Sequence, residues 1–325
     1  MITFFQVAGG LLLLFFGGEF LVRAAVSLAR RIGVSPLVIG LSVVAAGTSA
    51  PEMVVCLIAA LEGAPGIAIG NVVGSNIANL LLVVGAAGMI YPIARNARSI
   101  YRDGAVCIAA TVLFVFLSTT GEFESWHGIV MLVALAAYLL GSYWSDRRDA
   151  KTAFEIEKEV EELEDKGQPL PVILLRLAFG FTGVILGSEL LVDGSIDVAR
   201  SLGLSETVIG VTLVAVGTSL PELATSIIAA KSRHTDVALG NAIGSCIFNL
   251  LAIMGVVAAV VPIKVPVQIL IFDIWVLLGV TAGFMVMGLV LPRMGKRVSL
   301  AFLILYGLYA GAQFSGFSAM PSLVH

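Results

Sequence analysis

The chain has 325 residues, 58% of them hydrophobic and only 13% charged, and its mean hydropathy is +1.02; soluble domains run at roughly 45–50% apolar and about 25% charged. A net charge of −3 with no basic patch beyond loop-sized clusters leaves no electrostatic footprint for nucleic acid. Cys56, Cys107 and Cys246 are odd in number and lie in apolar stretches, while His127, His234 and His325 are scattered, so neither a disulfide framework nor a thiolate or imidazole metal centre is expected.

Apolar stretches between charged or proline punctuation predict ten membrane-spanning helices, at 3–29, 36–61, 66–90, 104–119, 126–144, 171–198, 206–230, 235–261, 266–291 and 299–316. The first has no basic residues ahead of it and no short apolar run ending at a small-residue cleavage site, so it reads as a retained helix. Fifteen of the nineteen basic residues fall in alternate loops, at Arg30 and Arg31, Arg95 to Arg102, Arg147 to Lys166, Lys231 and Arg233, and Arg293 to Arg297. The intervening loops hold only Arg200 and Lys264. The positive-inside rule then predicts a multi-pass protein of the cell (inner) membrane with both termini on the extracytoplasmic side.

The chain repeats itself at an offset of 170 residues. Gly17, Glu19, Leu21 and Val22 align with Gly187, Glu189, Leu191 and Val192, and eight of fourteen positions are identical between 47–60 and 217–230, as are seven of eleven between 70–80 and 240–250. Five helices per unit is an odd number, so the second copy must enter the membrane upside down relative to the first. The expected fold is an all-α integral membrane protein of ten transmembrane helices in two inverted five-helix repeats, the plan of secondary transporters. The units are 1–145 and 171–325, and the charged stretch 146–170 between them, with nine acids and five bases from Asp146 to Lys166, reads as a cytoplasmic linker.

The second helix of each unit carries Gly47-Thr48-Ser49-Ala50-Pro51-Glu52 or Gly217-Thr218-Ser219-Leu220-Pro221-Glu222 in mid-span. Proline removes one backbone donor and disturbs the turn before it, so carbonyls near Ala45 and Ala215 are expected to be free for a cation or water. A glutamate at this depth costs several kcal/mol unless it is protonated or paired, and no lysine or arginine shares either span. Asn71, Ser75 and Asn79, and again Asn241, Ser245 and Asn249, recur every four residues and line one face of each third helix. Carboxylate, hydroxyl, amide and carbonyl oxygens without sulfur or imidazole suit hard cations: calcium, sodium, magnesium or manganese. The structural alternative is a proline kink with hydroxyls bonded back to the helix and a glycine packing face; two symmetric intramembrane glutamates weigh against it.

On these paired Gly-Thr-Ser-x-Pro-Glu and Gly-Asn-x-x-Gly-Ser motifs the sequence resembles the calcium/cation antiporter superfamily, in its bacterial and archaeal sodium/calcium exchanger branch. The resemblance spans nearly all of the chain. It implies exchange of Ca2+ for Na+ by alternating access, with calcium between Glu52 and Glu222 and on the carbonyls of Thr48 and Thr218. It implies sodium sites sharing those glutamates with Thr48, Ser49, Ser75, Thr218, Ser219, Ser245 and the carbonyls of Ala45 and Ala215; Asn79 and Asn249, on the polar faces of the third helices, complete the candidate metal ligands. It also implies that the first and sixth helices slide across this core. Asn249 stands where many relatives carry Asp, which weakens a potassium-cotransport reading, and Cys246 replaces the asparagine that Asn76 supplies in the first repeat. The alternative is a proton-coupled antiporter for calcium or another divalent cation; the Thr-Ser pairs favour sodium.

Beyond the transported ions and membrane lipid, the sequence calls for no cofactor and no obligate protein partner. Nothing places a nucleophile beside a base or a metal-bound water, so no enzyme is expected. Glu19 and Glu189 read as helix-contact or gating residues, Asp103 and Asp273 as caps opening the fourth and ninth helices, and Trp126, Trp144 and Trp275 as interfacial aromatics.

Overall fold

The computed structural model describes residues 2–32, 49–94, 100–147, 167–231, 233, 235–291 and 293–316. Its helices are α1 (Ile2–Arg31), α2 (Ala50–Leu61), α3 (Pro65–Ile90), α4 (100–118), α5 (Ser125–Arg147), α6 (Leu170–Leu202), α7 (206–231), α8 (235–260), α9 (Ile269–Val290) and α10 (Lys296–Gly316). Local chemistry sets their ends. Pro65 and Pro171 stand in the first turns of α3 and α6, where a missing amide hydrogen costs nothing. α6 stops at Gly203 with φ +63°, a left-handed cap that only glycine adopts freely. Gly63, at φ +73°, turns α2 directly into α3.

Seven of these helices are long and apolar enough to cross a membrane, and α7 makes an eighth if its two pieces, Glu206–Thr218 and Leu220–Lys231, bent by 42°, count as one span. One of the two remaining expected spans is shorter here and the other lies only partly among the described residues. The apolar part of α4, Ala105–Ser118, has 14 residues, and of the expected 36–61 span only 49–61 lies among the described residues, as does only 146–147 and 167–170 of the linker. The outer surface is apolar, with Phe4, Phe16, Phe116, Phe179 and Leu308 all more than half exposed, whereas buried polar side chains gather inside. That distribution belongs to a protein solvated by lipid.

Glycines set the helix contacts. Gly10 lies against Gly187 and Leu191, Gly17 against Gly180 and Val184, and Gly194 against Gln6 and Val7. The numbers rise along α1 as they fall along α6, so the first helices of the two repeats run antiparallel. A Cβ on Gly17 would sit 2.9 Å from the Val184 nitrogen; the two backbones touch, which larger residues would prevent. Gly66, Gly70 and Gly74 of α3 meet successively Glu206 and Thr207, Gly210, and Val211 and Ala215, so α3 runs parallel to the first half of α7. Gly85 packs on Ser299 and Leu303 of α10, and its counterpart Gly255 packs on Gly128 and Leu132 of α5. Counterpart helices thus make counterpart contacts.

Two features depart from the expected all-helical reading. Four two-residue strands form two antiparallel ladders: β1 (Ile93–Ala94) with β4 (Arg293–Met294), and β2 (Glu122–Phe123) with β3 (Ile263–Lys264). Strands this short leave no alternation to read. Asp103 and Asp273, expected as caps, instead lie within helices that begin several residues earlier, each in a widened turn (100–104 and Ile269–Asp273). They accept hydrogen bonds from tyrosines of counterpart helices, Tyr138 of α5 to Asp103 at 3.2 Å and Tyr309 of α10 to Asp273 at 2.9 Å. The helix start had already been satisfied upstream, so the carboxylates serve contacts between helices.

Candidate cation site

The site is built where the bend of α7 and the start of α2 meet α3 and α8. Pro221 has no amide hydrogen, so the Gly217 carbonyl loses its partner four residues on, and the chain bends at Ser219 (φ −81°, ψ 5°). Ser49, before Pro51, adopts nearly the same angles (φ −92°, ψ 8°). The helical segments that follow begin identically, Met53 N–H donating to Ser49 O and Leu223 N–H to Ser219 O, both at 3.0 Å. Glu52 and Glu222 therefore stand in the first turns of helix segments, where the partial positive charge of the N-terminus favours a carboxylate. The first half of α7 ends against the same place with its carbonyls, which favour a cation.

α3 and α8 supply the facing side chains. Asn79 and Asn249 each open a widened turn in which the amide five residues on, Val84 or Met254, donates to the asparagine carbonyl. Such turns interrupt the regular ladder and recur at functional sites. Ser49, Glu52, Ser75, Asn79, Thr218, Ser219, Glu222, Ser245 and Asn249 are all buried. The structure brings α3 and α7 together directly: Thr218 Oγ1 donates to Asn71 Oδ1 at 3.0 Å, and Ser75 Oγ lies 3.4 Å from the Ala215 carbonyl. Across the repeats, Cys246 Sγ of α8 donates to Asn76 O of α3 at 3.7 Å. Asn241 Nδ2 reaches Glu222 O at 3.3 Å. Thr48 and Ala45 lie outside the described residues.

Ala215 differs from expectation. Its carbonyl is not freed by the proline, because it accepts the Ser219 amide at 3.1 Å; the carbonyl that loses its i+4 donor to Pro221 is Gly217, and it accepts a backbone N–H of the helix cap instead. The second lone pair of Ala215 O faces the Ser75 and Thr218 hydroxyls. Glu19 lies on the exposed side of α1, paired with Arg23 at 3.2 Å.

A buried polar atom in a folded protein almost always has a partner. Among the described residues thirteen such atoms have none, and seven of them stand on the candidate ligands: Ser49 Oγ, Glu52 Oε2, Asn79 Oδ1, Ser219 Oγ, Glu222 Oε2 and both amide atoms of Asn249; neither glutamate forms an ion pair. These seven orphans are counterparts across the two repeats. They are oxygen atoms apart from the Asn249 nitrogen, and no group of three or more His, Cys, Asp or Glu side chains able to hold a metal ion occurs among the described residues. Two carboxylates with neutral hydroxyl, amide and carbonyl oxygens form a donor set for a hard cation that is bound and released.

The family model described as sodium/calcium exchanger protein matches residues 2–144 and 172–315. The chain belongs to the sodium/calcium exchanger family. The match leaves out residues 145–171. Among relatives, the putative antiporter CaxA of Alkalimonas amylolytica is 35% identical over 95% of this chain and 97% of its own length. The sodium/calcium exchanger MaX1 of Methanosarcina acetivorans is 32% identical over 86% of this chain and 89% of its own. The solved sodium-calcium exchanger NCX_Mj, soaked with Na+ and Sr2+, superposes with a TM-score of 0.64 at 32% identity, covering 95% of this chain and 98% of that one. As a member of the sodium/calcium exchanger family, the chain is a multi-pass membrane antiporter that transports cations.

Proposed function

We propose that this antiporter exchanges Ca2+ for Na+ across the cell (inner) membrane, with ions bound between the two Gly-Thr-Ser-x-Pro-Glu breaks. The observation that carries the reading is the set of orphaned buried oxygens contributed in counterpart positions by both repeats. Calcium lies between Glu52 and Glu222, whose two charges balance it, with the carbonyls of Thr48 and Thr218. Sodium ions share the glutamates with Thr48, Ser49, Ser75, Thr218, Ser219, Ser245 and the carbonyls of Ala45 and Ala215, while Asn79 and Asn249 border the site. Because both ions need the same carboxylates, they compete, and competition for one site is what couples their opposite movements.

The chain crosses the membrane ten times as two inverted repeats, 1–145 and 171–325, joined by the cytoplasmic linker 146–170, with both termini outside. The antiparallel α1 and α6 slide as a pair to expose the site to either side. Their position supports this: Leu11 of α1 reaches into the space at Gly217, and Gly18 of α1 lies 3.3 Å from the Pro51 ring, if given a Cβ. One helix thus touches both break points.

The test is radiolabelled calcium uptake into proteoliposomes loaded with sodium and diluted into choline medium, with choline-loaded and proton-gradient arms and the Glu52→Gln and Glu222→Gln variants. Uptake that requires internal sodium and disappears in both variants supports the reading. Uptake driven by a proton gradient alone assigns the chain to proton coupling, and calcium flux that survives both substitutions refutes the site.

A further inference from the structure

A hydroxyl coordinates a cation through its lone pairs, so its proton must point elsewhere. Ser75 and Thr218 meet that condition through one amide. Ser75 Oγ donates to Asn71 Oδ1 at 3.2 Å and Thr218 Oγ1 donates to the same oxygen at 3.0 Å. Each hydroxyl also lies near the Ala215 carbonyl, at 3.4 and 3.5 Å, and Thr218 is within reach of the Glu52 carboxylate as well; Asn71 Oδ1 is nearer to both hydroxyls than that carbonyl. Had the Asn71 amide been turned over, its NH2 group would face both hydroxyls, and their protons would be driven towards the cation.

What fixes the amide is the thiol of Cys56, fully buried one turn beyond Glu52. Its Sγ lies 3.4 Å from the Ala68 carbonyl and 3.2 Å from Asn71 Nδ2. A carbonyl only accepts, so the thiol proton is committed to Ala68. The sulfur then has only lone pairs to offer, and the group facing it must be the NH2 of Asn71. In the second repeat the counterpart amide nitrogen is held by different atoms. Ser226, the counterpart of Cys56, lies 3.1 Å from Asn241 Nδ2, and Glu222 O, which also only accepts, lies 3.3 Å from that nitrogen.

We propose that Cys56 is a positioning residue for the cation site: by holding the Asn71 amide with its oxygen towards Ser75 and Thr218, it keeps their hydroxyl protons off the face that meets the ion. The inference deepens the exchanger reading and rests on it. It makes position 56 a requirement for an acceptor and not for a sulfur atom or a given volume. Serine restores the function; valine, close to cysteine in size but without lone pairs, does not.

The experiment compares Cys56→Ser, Cys56→Val and Cys56→Ala with the unaltered chain in sodium-loaded proteoliposomes, recording the half-saturating calcium concentration and the maximal rate separately. Removing the acceptor raises the half-saturating concentration about tenfold in both Val and Ala, the factor matching one hydrogen-bond-sized contribution, while the maximal rate holds within about twofold, as for binding lost equally in ground and transition states. Cys56→Ser remains near the unaltered chain. Two variants without the acceptor keep the test intact if one folds poorly. Val and Ala that match the unaltered chain, or Ser as impaired as Val, overturn the proposal while leaving sodium-driven exchange in place. Failure of the unaltered chain to take up calcium would instead remove the exchanger reading, and this inference with it.

Discussion

Gly74→Ala tests the contact on which the site depends. A Cβ at position 74 would lie 2.5 Å from Val211 O, 2.6 Å from Val211 Cα and 2.7 Å from Ala215 Cβ, against 3.4 Å or more for ordinary contact. All three are rigid atoms of α7, so no side chain can swing aside and the helices must part by roughly 1 Å. That shift carries Thr218 Oγ1 from 3.0 Å and Ser75 Oγ from 3.4 Å out of hydrogen-bond range of Asn71 and Ala215. Overpacking costs about 1–3 kcal/mol, and each lost hydrogen bond about 1 kcal/mol more. We expect a destabilisation of about 3 kcal/mol, read as a lowered thermal midpoint of the purified protein, and calcium exchange reduced at least about tenfold. Gly141→Ala, where an added Cβ meets nothing within 4 Å, is the control, and helix propensity favours it slightly. A Gly74→Ala protein with unchanged midpoint and full exchange would show that α3 and α7 are not packed as described.

Other expectations follow from the same geometry. Gly180→Leu places its Cβ 2.8 Å from Leu21 N; it should stop exchange in proteoliposomes while the protein still purifies as a single species, and normal flux would refute a backbone-tight sliding pair. Tyr309→Phe removes one of three donors to the Asp273 carboxylate, the others being Gln313 and Gln268; thermal unfolding should show a loss of about 1–2 kcal/mol, and no loss would mean the tyrosine contact is idle. Glu62, in the turn after α2, has its pKa raised above the usual glutamate value, first by burial and then by the Asp193 and Glu189 charges. A carboxyl raised in the folded state opposes folding once ionised, so that penalty is absent below the ordinary glutamate range and appears as pH rises through the raised value. Glu62→Gln should raise the thermal midpoint at neutral pH and leave it unchanged near pH 4, and the reverse dependence would contradict the assigned surroundings.

Much of this was legible because duplication writes the same constraint twice. An isolated Gly-Thr-Ser-x-Pro reads equally well as a kink, but two copies each bearing a glutamate in an apolar span point to one ion. The widened turns at Asn79, Ile100, Asn249 and Ile269 were not legible, since a single extra residue per turn leaves hydropathy unchanged. The error over Asp103 and Asp273 has the same origin: the carboxylates looked like helix starts only while the turn before them was invisible. Cys56 was passed over for another reason. Its counterpart is Ser226, so identity between the repeats, the signal that found every other site residue, is absent where two side chains do one job by different chemistry. The ladders were missed because their partners, Ile93 with Met294 and Phe123 with Ile263, lie far apart in sequence.

Those ladders bear on how the molecule is assembled. Each joins one strand from the first half of the chain to one from the second, so neither can close until synthesis has passed residue 263 in one case and 294 in the other. Until then the nascent first half carries two unpaired edges and nothing to match them. An unfused five-helix unit would face the same shortage, and a second copy inserted the other way up would relieve it, since Ile93 and Ile263 occupy one repeat position. The clasps that hold the two halves of this protein are thus those that would hold an antiparallel homodimer, and joining two such genes would have required only a linker.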